Sequence, residues 1–231
     1  MSSAVGCILA IDTAAPVVGV AVVHRGAPEL AAHTCFHWSE RVQRKADALL
    51  LPAVGEALAA ADASGDPLLG VAVTVGPGTF TGLRVGLATA LGVAVARGVP
   101  VFPEGSLEGR SLLVSDRPLL VLLDARKNRF YGRWFTADGP VGQAEDAPLE
   151  HFFSGVGTVV GEGGRVAAER LQQAGLAIAP DPDRSCAVVL ATAALDGRLT
   201  PVDAAEVGLR YVRPPDARRP THVLEPRRTG H

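Results

Sequence analysis

At 231 residues the chain suits one large or two small domains with a sizeable core. Apolar residues make up 48% and charged residues 20%, and the formal charge of −2 excludes a dedicated nucleic-acid binder driven by bulk cation. Cys7, Cys35 and Cys186, odd in number and widely spaced, give neither a disulfide framework nor a metal spacing and fit a reducing cytoplasm.

Residues 7–13 are a short apolar run of central-strand type. Residues 17–24 and 29–36 read as two more strands, joined by a hairpin turn at 25–28. The spacing then predicts a helix over 40–61, with Leu50, Val54, Ala57 and Ala61 on its apolar face and Ser39 as its cap. Pro52 inside it costs about 3 kcal/mol by propensity, so a kink or restart is expected there. Residues 70–75 form a β-branched buried strand, stopped by Gly76, Pro77 and Gly78, with Thr79 or Thr81 capping the helix that follows.

From Val85 to Ala96 the sole polar side chain is Thr89. A helix covering one face of a sheet keeps a polar stripe, and this one has almost none. Twelve such residues are too few to cross a bilayer. Another part of the chain, or another protein, must cover the second face. A strand at 99–102 completes a first unit, 1–105. The second, 106–231, reads as strands at 118–124, 129–136, 139–143 and 157–161, helices at 165–174 and 185–195, and a Pro/Arg-rich tail in which 206–212 docks. The N-terminal residues carry no basic stretch, so no signal peptide is expected.

Motifs are sparse. The loop 76–82 offers backbone N–H groups ahead of a helix, which attract anions, but its glycine spacing is not that of a Walker A loop. A tight strand-to-helix turn explains the glycines as well. Asp12 with Thr13, and Asp124 in the second unit, end strands where nucleotide-binding folds place phosphate loops. Their followers, Ala14-Ala15-Pro16 and Ala125-Arg126-Lys127, lack the glycines that admit phosphate and metal. Gly163, in Gly161-Glu162-Gly163-Gly164, seats a nucleotide or merely turns the chain. Asp12, Thr13, Gly76, Gly78, Thr79, Asp124 and Gly163 are therefore the candidate nucleotide contacts.

His33 and His37 have a helical ligand spacing, but on a strand four residues span about 13 Å, so no metal site is expected. The other histidines form no cluster in sequence. Ser106 reads as a helix cap, and no nucleophile–base pair stands out. Arg126, Lys127, Arg129 and Arg133, with the tail arginines, are a local basic surface able to touch a phosphate backbone.

Four segments carry a resemblance: residues 8–14, residues 76–86 (Gly76-Pro77-Gly78-Thr79-Phe80-Thr81-Gly82-Leu83-Arg84-Val85-Gly86), Leu123-Asp124-Ala125-Arg126 with Tyr131, and residues 211–217. In this order they resemble the TsaB, or YeaZ, family over nearly the whole chain. The resemblance implies an α/β fold of two ribonuclease-H-like halves, of the actin, sugar-kinase and Hsp70 superfamily. It implies a non-catalytic, cytoplasmic partner of TsaD which, with TsaE and ATP, forms N6-threonylcarbamoyladenosine at position 37 of tRNAs reading codons that begin with A. No cofactor of its own is implied, ATP or ADP sitting at most at an interface with TsaD or TsaE.

By the same resemblance the helices at 40–61 and 82–97 face TsaD, or a second copy when TsaD is absent, and tRNA is met through the complex. The interface expectation falls on Leu50, Val54, Leu83, Arg84, Gly86, Leu87, Ala90, Leu91 and Ala94. Ala46 stands where relatives carry a histidine, which moves the chain further from a metal role. The alternatives are a homodimeric nucleotide-binding regulator and an independent small kinase or peptidase of the superfamily.

Overall fold

A computed structural model describes residues 5–26, 31–42 and 46–213. Three antiparallel strands open it: β1 (Gly6–Asp12), β2 (Val17–Arg25) and β3 (His33–Arg41). Helix α1 (Ala46–Ala63) leads to β4 (Leu68–Thr74), and α2 (Phe80–Arg97) to β5 (Val101–Glu104). Both later strands run parallel to β1, giving the order β3-β2-β1-β4-β5.

The second sheet repeats this plan. After the short α3 (Ser106–Ser111) come β6 (Leu119–Arg126), β7 (Arg129–Thr136) and β8 (Gly139–Pro140), successively antiparallel. The two-residue β8 and β9 (Glu145–Ala147), which also pairs with β7, replace the single strand expected at 139–143. Strands β10 (Thr158–Val160) and β11 (Ala177–Ile178) are parallel to β6 and give the order β8-β7-β6-β10-β11. Between them the expected helix at 165–174 divides into α4 (Glu162–Val166) and α5 (Ala168–Gln173). The fold is thus a duplicated ribonuclease-H-like α/β pair, as the resemblance implies.

Alternation along β1 and β2 explains how the first sheet is covered. Leu9, Ile11, Val20 and Val22 face α1 and α2, packing on Leu50, Val54, Ala57, Leu87, Ala90 and Ala94. Ile8, Ala10, Ala21 and Val23 face the other way, onto α6 (Ala187–Leu195). That helix lies in the second unit by sequence but closes the core of the first, so a division at 105/106 does not separate the cores. The guanidinium of Arg25 donates to the Leu195 carbonyl at its C-terminus, where helix carbonyls lack partners.

Three expectations about elements need correcting. The helix predicted from residue 40 begins at 46, and Ser39 lies inside β3, because β2 pairs as far as Arg41. Pro52 then falls in the second turn, on the exposed side, and the helix continues through it. Helix α2 has 18 residues, not twelve, and so meets the length and composition of a membrane span. Its Leu83, Leu87, Ala90 and Ala94 are nonetheless packed inside the protein, the position of a core helix. The hairpin turn expected at 25–28 lies partly outside the described residues.

Candidate functional site

Asp12 ends β1 with no exposed surface. A bare carboxylate there would be untenable, and the chain surrounds it with donors. Arg110 of α3, itself 1% exposed, places Nη2 2.9 Å from Oδ2 and 3.3 Å from Oδ1. Oδ2 also accepts from the Ser185 hydroxyl and the Cys186 amide, both at 3.0 Å. Oδ1 accepts from the Thr74 hydroxyl at 3.1 Å and the Ala14 amide at 3.3 Å. Burial alone would raise this carboxyl's pKa, but the Arg110 charge and the hydrogen bonds from Cys186 and Ala14 prevail and hold it below the usual carboxylate range.

Every lone-pair direction of Asp12 is therefore taken by its own chain. It is a structural ion pair joining β1, α3 and the start of α6, not a phosphate or metal aspartate. Cys186 is fully enclosed, and burial and then Asp12 push its thiol well above the ordinary value, which disfavours the thiolate. Sequence reading missed Arg110, whose only signal was a lone charge in an apolar strand 98 positions away.

The glycine-rich loop closes over the same spot. Thr79 N–H donates to the Ala14 carbonyl at 2.8 Å, and its hydroxyl donates to the Thr13 carbonyl at 3.4 Å instead of capping α2. A Cβ on Gly78 would lie 2.3 Å from Ala14 O, and one on Gly82 2.3 Å from Thr13 O. Gly76 has φ 115° and packs on the Arg210 carbonyl. Ser106, expected as a cap, is the first helical residue of α3, and its hydroxyl receives the Gly76 N–H at 3.1 Å. Close packing of loop on strand turn accounts for these glycines, and the phosphate reading of Asp12, Thr13, Gly76, Gly78 and Thr79 gives way to it.

Asp124 holds the equivalent place on β6 and accepts from the Arg126 amide at 2.8 Å. Gly163 sits against β6, where a Cβ would be 2.6 Å from that of Leu122, so helix–strand proximity accounts for it too. Glu162 beside it is buried, and burial, then the charge of Asp124, raises its carboxyl despite Arg126, Arg165 and Arg41 nearby. Asp183 accepts from both Arg41 and Arg165. Residues 183–186 thus bind the first sheet through Asp12 and Arg41, and helix α4 of the second unit through Arg165.

The basic surface is largely paired. Arg126 meets Asp124, Arg129 and Arg213 meet Asp146, and Arg133 meets Glu108. Arg218, Arg219, Arg227 and Arg228 lie outside the described residues.

The interface expectation divides. Leu50, Val54, Leu83, Gly86, Leu87, Ala90 and Ala94 are buried in the protein's own core, because their helix faces pack on the sheet. Leu50 and Ala90 have no exposed surface at all. Arg84 is exposed and Leu91 half-buried. The outward stripe of α2 is Arg84, Ala88, Leu91, Gly92 and Val95, with Leu51 exposed on α1. Arg84 stacks 3.7 Å over the Phe80 ring and donates to the Tyr211 hydroxyl at 3.3 Å, fixing one end of that stripe. Sequence spacing carries no sign of one grouping among the described residues: His24 of β2 lies beside His33 and Cys35 of β3.

Residues 39–196 match the family described as TsaD: tRNA N6-adenosine threonylcarbamoyltransferase. The chain belongs to this family, on its TsaB (YeaZ) branch. It is 41% identical over 127 residues to an uncharacterised protein of Mycobacterium leprae, a match covering 54% of this chain and 34% of that one. It is 30% identical over 128 residues to the tRNA threonylcarbamoyladenosine biosynthesis protein TsaB of Haemophilus influenzae, covering 54% and 51%. The matches thus span about a third and about half of those relatives' lengths. The fold is that of YeaZ from Pseudomonas aeruginosa, with TM-score 0.69, 24% identity and coverage of 89% of this chain and 99% of that one.

Proposed function

We propose that this chain is a non-catalytic, cytoplasmic subunit of the assembly that forms N6-threonylcarbamoyladenosine at position 37 of tRNA, pairing with a TsaD-type transferase and activating it. One observation carries the reading: the aspartate that would serve phosphate or metal chemistry is saturated by Arg110, Ser185, Cys186, Thr74 and Ala14. The family's chemistry then belongs to the partner. The outward stripe of α2, with small Ala88 and Gly92 between Arg84 and Val95, suits close approach of a partner helix. ATP turnover falls to TsaE, tRNA is met through the complex, and without TsaD the same apolar stripe pairs two copies.

The test is tRNA threonylcarbamoylation by TsaD, TsaE and the donor synthase of the same organism, with and without this chain. Product that needs the chain, with the chain inert alone, supports the reading. Full product in its absence overturns it.

A further inference from the structure

The far end of the first sheet from Asp12 brings together a second set of chemical groups. Cys7, His24 and His33 lie in one row across β1, β2 and β3, directly paired as Cys7 with His24 and His24 with His33. The register between β2 and β3 then shifts: Val22 pairs with Phe36 and Val23 with Thr34, so Cys35 is the extra residue of a bulge. Bulges re-aim side chains, and this one brings a thiol to the two imidazoles. The ligand atoms of His24, His33 and Cys35 all lie within 4.8 Å of one another. The His24 and His33 rings meet edge to face, centroids 5.0 Å apart.

A carboxylate completes the group. Asp66, between α1 and β4, places Oδ2 2.6 Å from His24 Nε2. With Nε2–H donating to that carboxylate, the His24 tautomer leaves its Nδ1 lone pair available to a cation. Carboxylate–histidine pairing of this kind orients metal-ligating histidines and raises their basicity. His24 is buried, whereas His33 and Cys35 are exposed and can rotate inward. Around a tetrahedral zinc ion, with bonds of about 2.0–2.3 Å, ligand atoms sit about 3.5 Å apart, so modest side-chain turns suffice.

We propose that His24, His33 and Cys35 form a divalent transition-metal site of zinc type, with Asp66 orienting His24 and a water completing the tetrahedron. Binding deprotonates the Cys35 thiol and releases that proton to solvent. The ion fastens the edge strand β3 to β2. Because Asp66 holds His24, it also fixes the α1–β4 connection. It lies at the opposite end of β1 from the Asp12 ion pair and takes no part in the proposed transferase chemistry.

The experiment is titration of the untagged full chain, stripped with chelator, with cobalt(II) and then zinc(II). One equivalent of cobalt should give a thiolate-to-cobalt charge-transfer band and intense tetrahedral d–d bands, both displaced by zinc. Cys35→Ser should abolish the charge-transfer band with unchanged circular dichroism. His33→Ala should weaken binding at least tenfold, and Asp66→Asn by about 10–100-fold. His37→Ala, outside the group, should leave binding unchanged. A weak octahedral spectrum, or a charge-transfer band that survives in Cys35→Ser, overturns the proposal.

Discussion

Asp12 and Arg110 are both enclosed, so neither loses its partner without leaving a charge in the core. Asp12→Ala is expected to destabilise the fold by about 3–5 kcal/mol, the usual penalty for stranding one member of a buried pair. A urea melt checks this, and an unchanged midpoint would mean that Arg110 finds another acceptor. The pH dependence follows from the lowered carboxyl. A carboxyl depressed by folding contributes stability that is full above its unfolded value, about 3.9, and is lost as pH falls through the folded value. Glu162 has the opposite sign, since burial and Asp124 raise it. Glu162→Gln should therefore be neutral in acid and increasingly stabilising as pH rises above about 4.3, toward and through the folded value. Thermal melts across that range test it; a gain that is equal at every pH would contradict the cause given.

At the level of elements, α2 poses the sharpest question, since its composition offers two apolar faces and the sequence does not say which one turns inward. Gly86, Ala90 and Ala94 are small enough for either a partner helix or a close sheet. The structure assigns them to the sheet: a Cβ on Gly86 would lie 2.0 Å from the Thr13 hydroxyl. Ala90→Glu should thus unfold the protein, since the carboxylate enters the core without a partner. Gly92 is exposed, and nothing lies within 4 Å of a Cβ there. Gly92→Arg should leave the monomer at least as stable, because arginine favours helix by close to 1 kcal/mol over glycine. On the proposed pairing it should also abolish co-purification with TsaD. Circular dichroism and size-exclusion chromatography separate the outcomes, and a Gly92→Arg chain that still pairs would move the interface off this stripe.

Legibility also varied by element for physical reasons. Strand β7 was readable residue for residue, and β2 within one, because buried β-branched and aromatic runs leave a strong pattern. Strand β3 is an exposed edge with the polar string His33-Thr34-Cys35-Phe36-His37-Trp38-Ser39-Glu40-Arg41, so pairing rather than burial extends it, and its end was mistaken for a helix start. The Asp12 site was legible only as a strand-end aspartate lacking glycine neighbours. Its partners Arg110, Ser185 and Cys186 come from far along the chain and carry no local signature.

On the scale of the whole molecule, the two sheets share one strand order, yet they do not form two independent bodies. Residues 1–105 contain the first sheet with α1 and α2, but its second face is covered by α6 from residues 187–195. Without that helix, Ile8, Ala10, Ala21, Val23, Ala72 and Phe102 would meet water along one continuous patch. Burial of such side chains contributes about 1.5–3 kcal/mol each for the larger ones, comparable in sum to the net stability of a small domain. The same fragment would lack Arg110, Ser185 and Cys186, leaving Asp12 with only Thr74 and the Ala14 amide. Residues 1–105 expressed alone should therefore fail to give a cooperative thermal transition and should bind hydrophobic dyes, while the full chain melts as one unit. A cooperative fold of residues 1–105 would show that α1 and α2 suffice for the first core, and that α6 joins it as an accessory. The ion pair and the apolar face make the opposite expectation, because both are completed by residues beyond 105: Arg110 of α3 for the pair, and α6, which follows the second sheet, for the face.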